Sequence, residues 1–270
     1  MNKVTFKLKE EIFKGNLDYE ALNQNNFDSK KIYTFKEGFF GKGDDYATII
    51  NFRNLDFDEN YMNQMGGDIV RLTEDQFKII YKDNTKTSVD DSKVSQKSNE
   101  YVKSTYGEIL PTSVDKMIDI IKIGPDDVFY DLGSGMGKVT MQMFANTSAK
   151  KCCGIEYFPE RAFSAKKALK KLYKLFPSLL DDDRIISYQV QNIKDVHYLD
   201  DATIVFMCST CYPEELLDIV YEKLKNSDKL RYLITHKRYD KFKNLLPNLR
   251  EVELPCTWSK NLIWFFYYKN

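Results

Sequence analysis

A short acidic and glycine-rich run constrains this chain more than any other part of it. After the apolar segment Val128-Phe129-Tyr130 come Asp131, Leu132 and glycines at 133, 135 and 137, then Lys138 and a helical pattern. Glycines so spaced let the backbone turn sharply and approach a ligand with no Cβ in the way. The following helix directs its first amide groups and its positive dipole end into the same crevice. Two phosphate-binding alternatives can be tested by spacing. A dinucleotide fingerprint G-x-G-x-x-G would need glycine at 138 or 140, where Lys138 and Thr140 stand. A phosphate loop ending in Gly137-Lys138 would need glycine at 132 and Ser or Thr at 139, where Leu132 and Val139 stand. Both fail.

The surrounding pattern places this run in an alternating α/β sheet. Helical spacing over 112–123 precedes a strand over 127–131, and helix 138–145 follows the glycines. Then come strand 151–156, helix 159–176, strands 184–190 and 202–207, a helix opened by Pro213, and strand 230–235. Two last strands, 250–254 and 261–268, leave hardly room for a helix between them and must therefore be antiparallel. Alternating strands and helices imply a mostly parallel sheet covered on both faces. The expected fold is α/β: the seven-stranded, Rossmann-like sheet of the class I methyltransferases, with an antiparallel last strand.

Asp131 ends its strand where a carboxylate can meet the cationic amino group of a methionine moiety but would repel a pyrophosphate. Glu156 ends the next strand, where an acid accepts hydrogen bonds from ribose hydroxyls. S-adenosylmethionine is the nucleotide that suits both.

The chain has 270 residues, with forty basic side chains balanced by forty acidic ones, so net charge alone cannot hold nucleic acid. No apolar run approaches the ~20 residues of a membrane span, and residues 1–17 do not read as a secretory leader. Five scattered cysteines fit a reduced intracellular protein better than a disulfide scaffold. The polar stretch 82–104 divides the chain: residues 1–81, rich in aromatics, read as a small α+β or helical N-terminal domain, and 105–270 as the catalytic domain.

Tyr106-Gly107-Glu108, the run Asp131 to Lys138, and Gly154-Ile155-Glu156 together resemble the Dot-one family of non-SET histone lysine methyltransferases, over roughly residues 99–264. The segment Val205 to Pro213 resembles the signature that follows strand four in the wider Dot-like group. The resemblance implies a smaller N-terminal domain, a linking segment folded over S-adenosylmethionine, and a histone-three lysine on the nucleosome as acceptor. It places Glu100, Tyr106 and Glu108 in the cofactor-covering loop, and Asp131, Gly133, Gly135 and Lys138 around the methionine part. Glu156 falls at the ribose, and Asn192 and Ile193 at the adenine, where the family has an acidic and an aromatic residue. Ser209 takes the place of an Asn in the catalytic segment, where the cofactor also touches it. Phe265 takes the place of a Tyr in the acceptor channel, and Trp258 matches an aromatic position there. The implied catalytic set is Ser209, Tyr106, Trp258 and Phe265, and the implied location is the nucleus, of the protein's own cell or a host's, with the cytoplasm as the alternative.

Methyl transfer from a sulfonium asks for alignment and exclusion of water rather than acid–base chemistry at the leaving group. Tyr212, Trp258, Trp264, Phe265 and Phe266 could supply an aromatic channel, or simply core. Cys208-x-x-Cys211 has no second ligand pair at zinc spacing and reads as small residues lining the end of strand four, with no metal expected. His197 reads as a surface residue and His236 as a strand-end residue, with a role near the acceptor as the alternative. Lys166, Lys167, Lys170 and Lys171 form a basic helical stripe, either a solvated face or a contact for DNA phosphates. Two rival readings remain: a methyltransferase of another protein or a small molecule, and an inactive cofactor- or nucleic-acid-binding scaffold, suggested by Ser209 and Phe265.

Overall fold

The computed structural model of the chain describes residues 69–82, 107–179, 184–197 and 199–269. Most of the expected N-terminal domain and of the linker, with Glu100 and Tyr106, lies outside these residues.

The described elements run in chain order as α1 (Glu74–Tyr81), α2 (Pro111–Ile121), β1 (Val128–Leu132), α3 (Lys138–Asn146), β2 (Lys151–Glu156) and α4 (Pro159–Leu175). They continue as β3 (Ile185–Val190), β4 (Ile204–Met207), α5 (Glu214–Leu224), β5 (Tyr232–Thr235), β6 (Asn248–Glu253) and β7 (Ile263–Tyr268). Helix starts follow local chemistry. Thr73 and Gln76 form a reciprocal capping box at α1, and proline opens α2 and α4, where a missing N–H costs nothing. Between β5 and β6 there is only a 3₁₀ turn, Asp240–Asn244.

The sheet has the order β3-β2-β1-β4-β5-β7-β6. Pairings from β3 through β5 are parallel, and β7 runs antiparallel to both β5 and β6. This is the expected class I methyltransferase sheet. Because both faces are covered, every residue of β1 and β4 is buried, and strand alternation sends neighbours to opposite cores. Phe129, Cys152, Phe206, Trp264 and Phe266 join α1 to α4 on one face. Tyr130, Cys153, Val205, Leu233 and Tyr267 join α5 on the other. Chain order reverses beside β1, whose neighbours are β2 and β4, and such a switch point opens a crevice at the carboxyl ends of the strands.

Helix α1, which composition groups with the N-terminal domain, packs into the body of the sheet domain. Leu72, Phe77, Ile80 and Tyr81 belong to the same core as α3 and α4. Val70 N–H donates to Ala145 O at 2.8 Å, and Tyr81 Oη donates to Met136 O at 3.1 Å. The apolar positions of this eight-residue helix are too few to hold it alone. Tertiary packing holds it instead.

Ile80 is fully buried. Ile80→Ala should therefore lower unfolding stability by about 2–4 kcal/mol in urea titrations, the range for a large core truncation. A change below about 0.5 kcal/mol would mean that α1 is not part of the sheet domain's cooperative unit.

Candidate functional site

A cavity of about 420 Å³ opens at the carboxyl end of the sheet, at the switch point. Its floor is the glycine turn: Asp131 at the end of β1, then Gly133, Ser134, Gly135 and Lys138. Glu156, Tyr157, Phe158 and Arg161 close the side beyond β2, and Asn192, Ile193 and Lys194 the side beyond β3. Cys208, Thr210, Cys211 and Tyr212 come from the turn after β4, and Gly107, Glu108, Ile109 and Trp258 form the remaining wall.

The turn is shaped by its neighbours as much as by its glycines. Gly133 has φ +82°, and a Cβ there would meet Tyr212 Oη at 2.1 Å. That hydroxyl donates to Leu132 O at 2.7 Å, so the tyrosine braces the bend from the β4 side. Gly137 (φ +76°) caps α3, and a Cβ on it would strike the Tyr188 ring, whose hydroxyl donates to Gly137 O at 2.9 Å. Glu156 completes the frame. Its carboxylate accepts from Gly135 N–H at 2.7 Å and Phe158 N–H at 2.9 Å. A carboxylate has about four acceptor directions, so Glu156 can shape the turn and still receive a ligand hydroxyl.

Electrostatically the floor is acidic, and its two acids are buried. Asp131 is buried and accepts from Thr140 Oγ1 at 3.0 Å. Burial pushes its carboxyl up to about 7; the Thr140 hydrogen bond opposes this and the Glu156 carboxylate adds to it. Glu156 is raised as well, by burial, against its amide donors and Arg161. At the edge of the floor, Lys138 pairs with Glu108 at 2.6 Å and lies 5.1 Å from the Tyr81 ring centroid. Ser134 carries a buried hydroxyl with no hydrogen-bond partner among the described residues, and it lies against Gly154, where a Cβ would meet it at 2.7 Å.

Of the residues singled out from sequence, Glu108, Asp131, Gly133, Gly135, Lys138, Glu156, Asn192, Ile193 and Trp258 all line this one cavity. Glu100 and Tyr106 lie outside the described residues. Ser209 and Phe265 are not brought to it. Ser209 is fully buried, its Oγ 2.5 Å from Thr235 Oγ1 and accepting Lys237 N–H at 2.8 Å, so it ties the turn after β4 to the end of β5. Phe265 alternates with Trp264 and Phe266 along β7 and packs with the α5-side core. Sequence reasoning missed Thr210, Arg161 and Tyr157, and gave Tyr212 only a place among the candidate channel aromatics. Only the fold tells which residue of a turn faces inward.

The basic stripe on α4 is not one solvated face. Lys166 follows Ala162 by one turn and precedes Leu169 and Lys170, which sets it at the margin of the buried stripe; it is itself buried, and burial pulls its amine down to about 8. Lys167 is exposed, Lys170 and Lys171 are half-buried, and Phe163 is exposed instead. His197 is at the surface, and no cluster of metal-ligating side chains occurs among the described residues.

The sequence profile described as "Histone methylation protein DOT1" matches residues 81–245, well over half of the chain. The chain belongs to the DOT1 family. Two relatives, both named "Histone-lysine N-methyltransferase, H3 lysine-79 specific", come from Dictyostelium discoideum and Caenorhabditis elegans. The first is 24% identical over 190 residues, covering 68% of this chain and 10% of its own length. The second is 41% identical over 63 residues, covering 23% of this chain and 7% of its own length. The DOT1-family chain described here thus spans at most about a tenth of either relative. Among solved structures, an RNA methyltransferase from Salinibacter ruber with S-adenosyl-L-homocysteine is 20% identical, with 58% of this chain and 90% of that chain covered and a TM-score of 0.42. A magnesium protoporphyrin IX methyltransferase from Synechocystis PCC 6803 with bound SAM is 13% identical, with 58% and 79% covered and a TM-score of 0.43.

The raised Asp131 carboxyl has a stability consequence. Its folded value of about 7 exceeds the ordinary 3.8, so the folded state holds the extra proton between those two pH values. Its contribution is full below about pH 4 and is lost as pH rises through 7. Asp131→Asn should flatten this part of the stability profile, so that the variant gains on the wild type between pH 4 and 7 in urea titrations. Parallel profiles would mean that the carboxyl is not desolvated.

Proposed function

We propose that this chain is an S-adenosylmethionine-dependent protein lysine methyltransferase that acts on a histone-three lysine in chromatin. The observation that carries the cofactor is the pairing of two buried acids in one cavity: Asp131 at the end of β1 and Glu156 at the end of β2, on either side of the glycine turn. Asp131 suits the donor's ammonium, Glu156 its ribose hydroxyls, and Lys138 its carboxylate. Asn192 and Ile193 offer an amide and an apolar face for the base. The bound donor supplies an electrophilic methyl on a sulfonium that leaves as a neutral thioether.

The chain's own residues then have two tasks. They must exclude water, for which Phe206, Leu216, Tyr212 and Trp258 give the cavity its apolar wall. They must also admit an amine in its neutral form, which desolvation beside an aromatic ring favours. Trp258 is 42% exposed and lies against Gly107, where a Cβ would meet its ring at 2.4 Å, so it stands at the mouth. That position fits an acceptor entering from outside. The acceptor as histone rests on the family, and a nuclear site of action follows from that reading. No helix among the described residues is long and apolar enough to cross a membrane. DNA contact through α4 is proposed for Lys167, with Lys170 and Lys171 at its edge.

Three measurements test this. Labelled donor with nucleosomes, histone octamers and a cell lysate should mark histone three; label confined to other proteins or small molecules would reassign the acceptor. In calorimetry with S-adenosylhomocysteine, Gly135→Arg should abolish binding by filling the cavity, and Glu156→Ala should weaken it at least tenfold; survival of affinity in both would displace the donor from this cavity. Because the ligand ammonium favours ionised Asp131, affinity should rise as pH increases from about 6 to 8, and Asp131→Asn should remove that dependence.

A further inference from the structure

The turn after β4 and the end of β5 are joined by two successive side-chain pairs. Ser209 meets Thr235, and Thr210 meets His236, with Thr210 Oγ1 3.1 Å from His236 Nδ1. The first pair is buried and structural. The second faces the cavity, because Thr210 lines it. The Thr210 hydroxyl also lies 3.8 Å from Cys208 Sγ. His236 is half-buried, with its ring set edge-on to Trp264 at 5.8 Å between centroids.

We infer that Thr210 and His236 form a proton relay for the acceptor amine, with Thr210 touching the amine and His236 acting through it as a positioning residue and proton sink. This rests on the lysine-methyltransferase reading above. An acceptor lysine arrives as an ammonium and has no lone pair until it loses a proton. As an ammonium N–H bond breaks, its proton forms a new bond to Thr210 Oγ, whose own proton moves to His236 Nδ1. The products are a neutral amine and an imidazolium, which returns its proton to water between turnovers. Thr210 can serve because a hydroxyl both donates and accepts. The groups that face His236 are Thr210 from the β4 turn, the uncharged Trp264 ring from β7 and Lys237 beside it. Burial and the Lys237 charge lower its pKa, so the resting ring is neutral and its Nδ1 lone pair faces the Thr210 hydroxyl.

The test uses the full chain. His236→Gln and Thr210→Val should each lower kcat on nucleosomes by roughly 10- to 100-fold. Both should remove the acidic limb of the kcat–pH profile, His236→Gln should leave S-adenosylhomocysteine affinity within twofold, and Thr210→Ser should restore turnover. Since the chain has two histidines, ¹⁵N imidazole spectra of the wild type can be assigned with one variant, and should show the Nε2–H tautomer at His236. Turnover with an unaltered acidic limb in His236→Gln overturns the relay alone. Absence of turnover on every histone substrate overturns the lysine reading. An Nδ1–H tautomer overturns the relay whatever the substrate proves to be.

Discussion

Two carboxylates held out of water at the ends of adjacent parallel strands set the character of this protein. Placing Asp131 and Glu156 beside each other in a buried cavity is costly, and the fold offsets that cost with backbone amides and a threonine hydroxyl. Those same hydrogen bonds dictate the local architecture. Glu156 can accept from Gly135 only if the turn bends back toward β2, and the bend requires the positive φ angles of its glycines. Acid and glycine are therefore one device. A site built this way is ready for a ligand that brings positive charge and hydroxyl donors.

Most of this was legible in the sequence because it is local. The triple-glycine run, the strand before it and the acid closing the next strand are all decided within about thirty residues of chain, where spacing maps directly onto geometry. The parallel sheet and its reversed last strand were legible for a related reason: connection length alone separates a crossover from a hairpin. Boundaries came within a few residues, Pro111–Ile121 being observed for a helix expected over 112–123. Helix α1 was misgrouped because its burial against α3 and α4 is tertiary, and a composition shift at residue 82 carries no information about packing.

The turn after β4 was harder. Ser209, Thr210 and Cys211 are three consecutive small residues in a 3₁₀ turn, where side chains splay in different directions. Analogy drew attention to Ser209, yet its hydroxyl is spent on Thr235 and Lys237, and the cavity receives Thr210 instead. Phe265 was misplaced by a similar ambiguity. Five consecutive aromatics in β7, Trp264 to Tyr268, give no phase to the alternation, so which of them face which core is settled by β5 and β6 on either side. The basic stripe on α4 failed in the opposite sense: charge suggested a wet face, but helical phase brings Lys166 beside Ala162 and Leu169.

The departures at Ser209 and Phe265 prompted the inactive-scaffold alternative, and their positions weaken that inference. Neither side chain is among those that line the cavity. Hydrogen bonds near the cavity mouth tie it to the rest of the fold. Thr257 N–H donates to Glu108 O at 2.8 Å, Leu110 N–H to Pro255 O at 3.2 Å, and Ser113 Oγ to Pro255 O at 2.8 Å. These bonds stitch the segment before α2 and the first turn of α2 to the loop between β6 and β7, in which Trp258 lies against Gly107. Glu108 joins that clamp to Lys138 at the start of α3, and Lys138 in turn lies against Tyr81 of α1. Donor floor, mouth and the helix that leads in from the N-terminal residues thus share one chain of contacts. A ligand that competes with Glu108 for Lys138 therefore acts on the mouth of the cavity as well as on its floor.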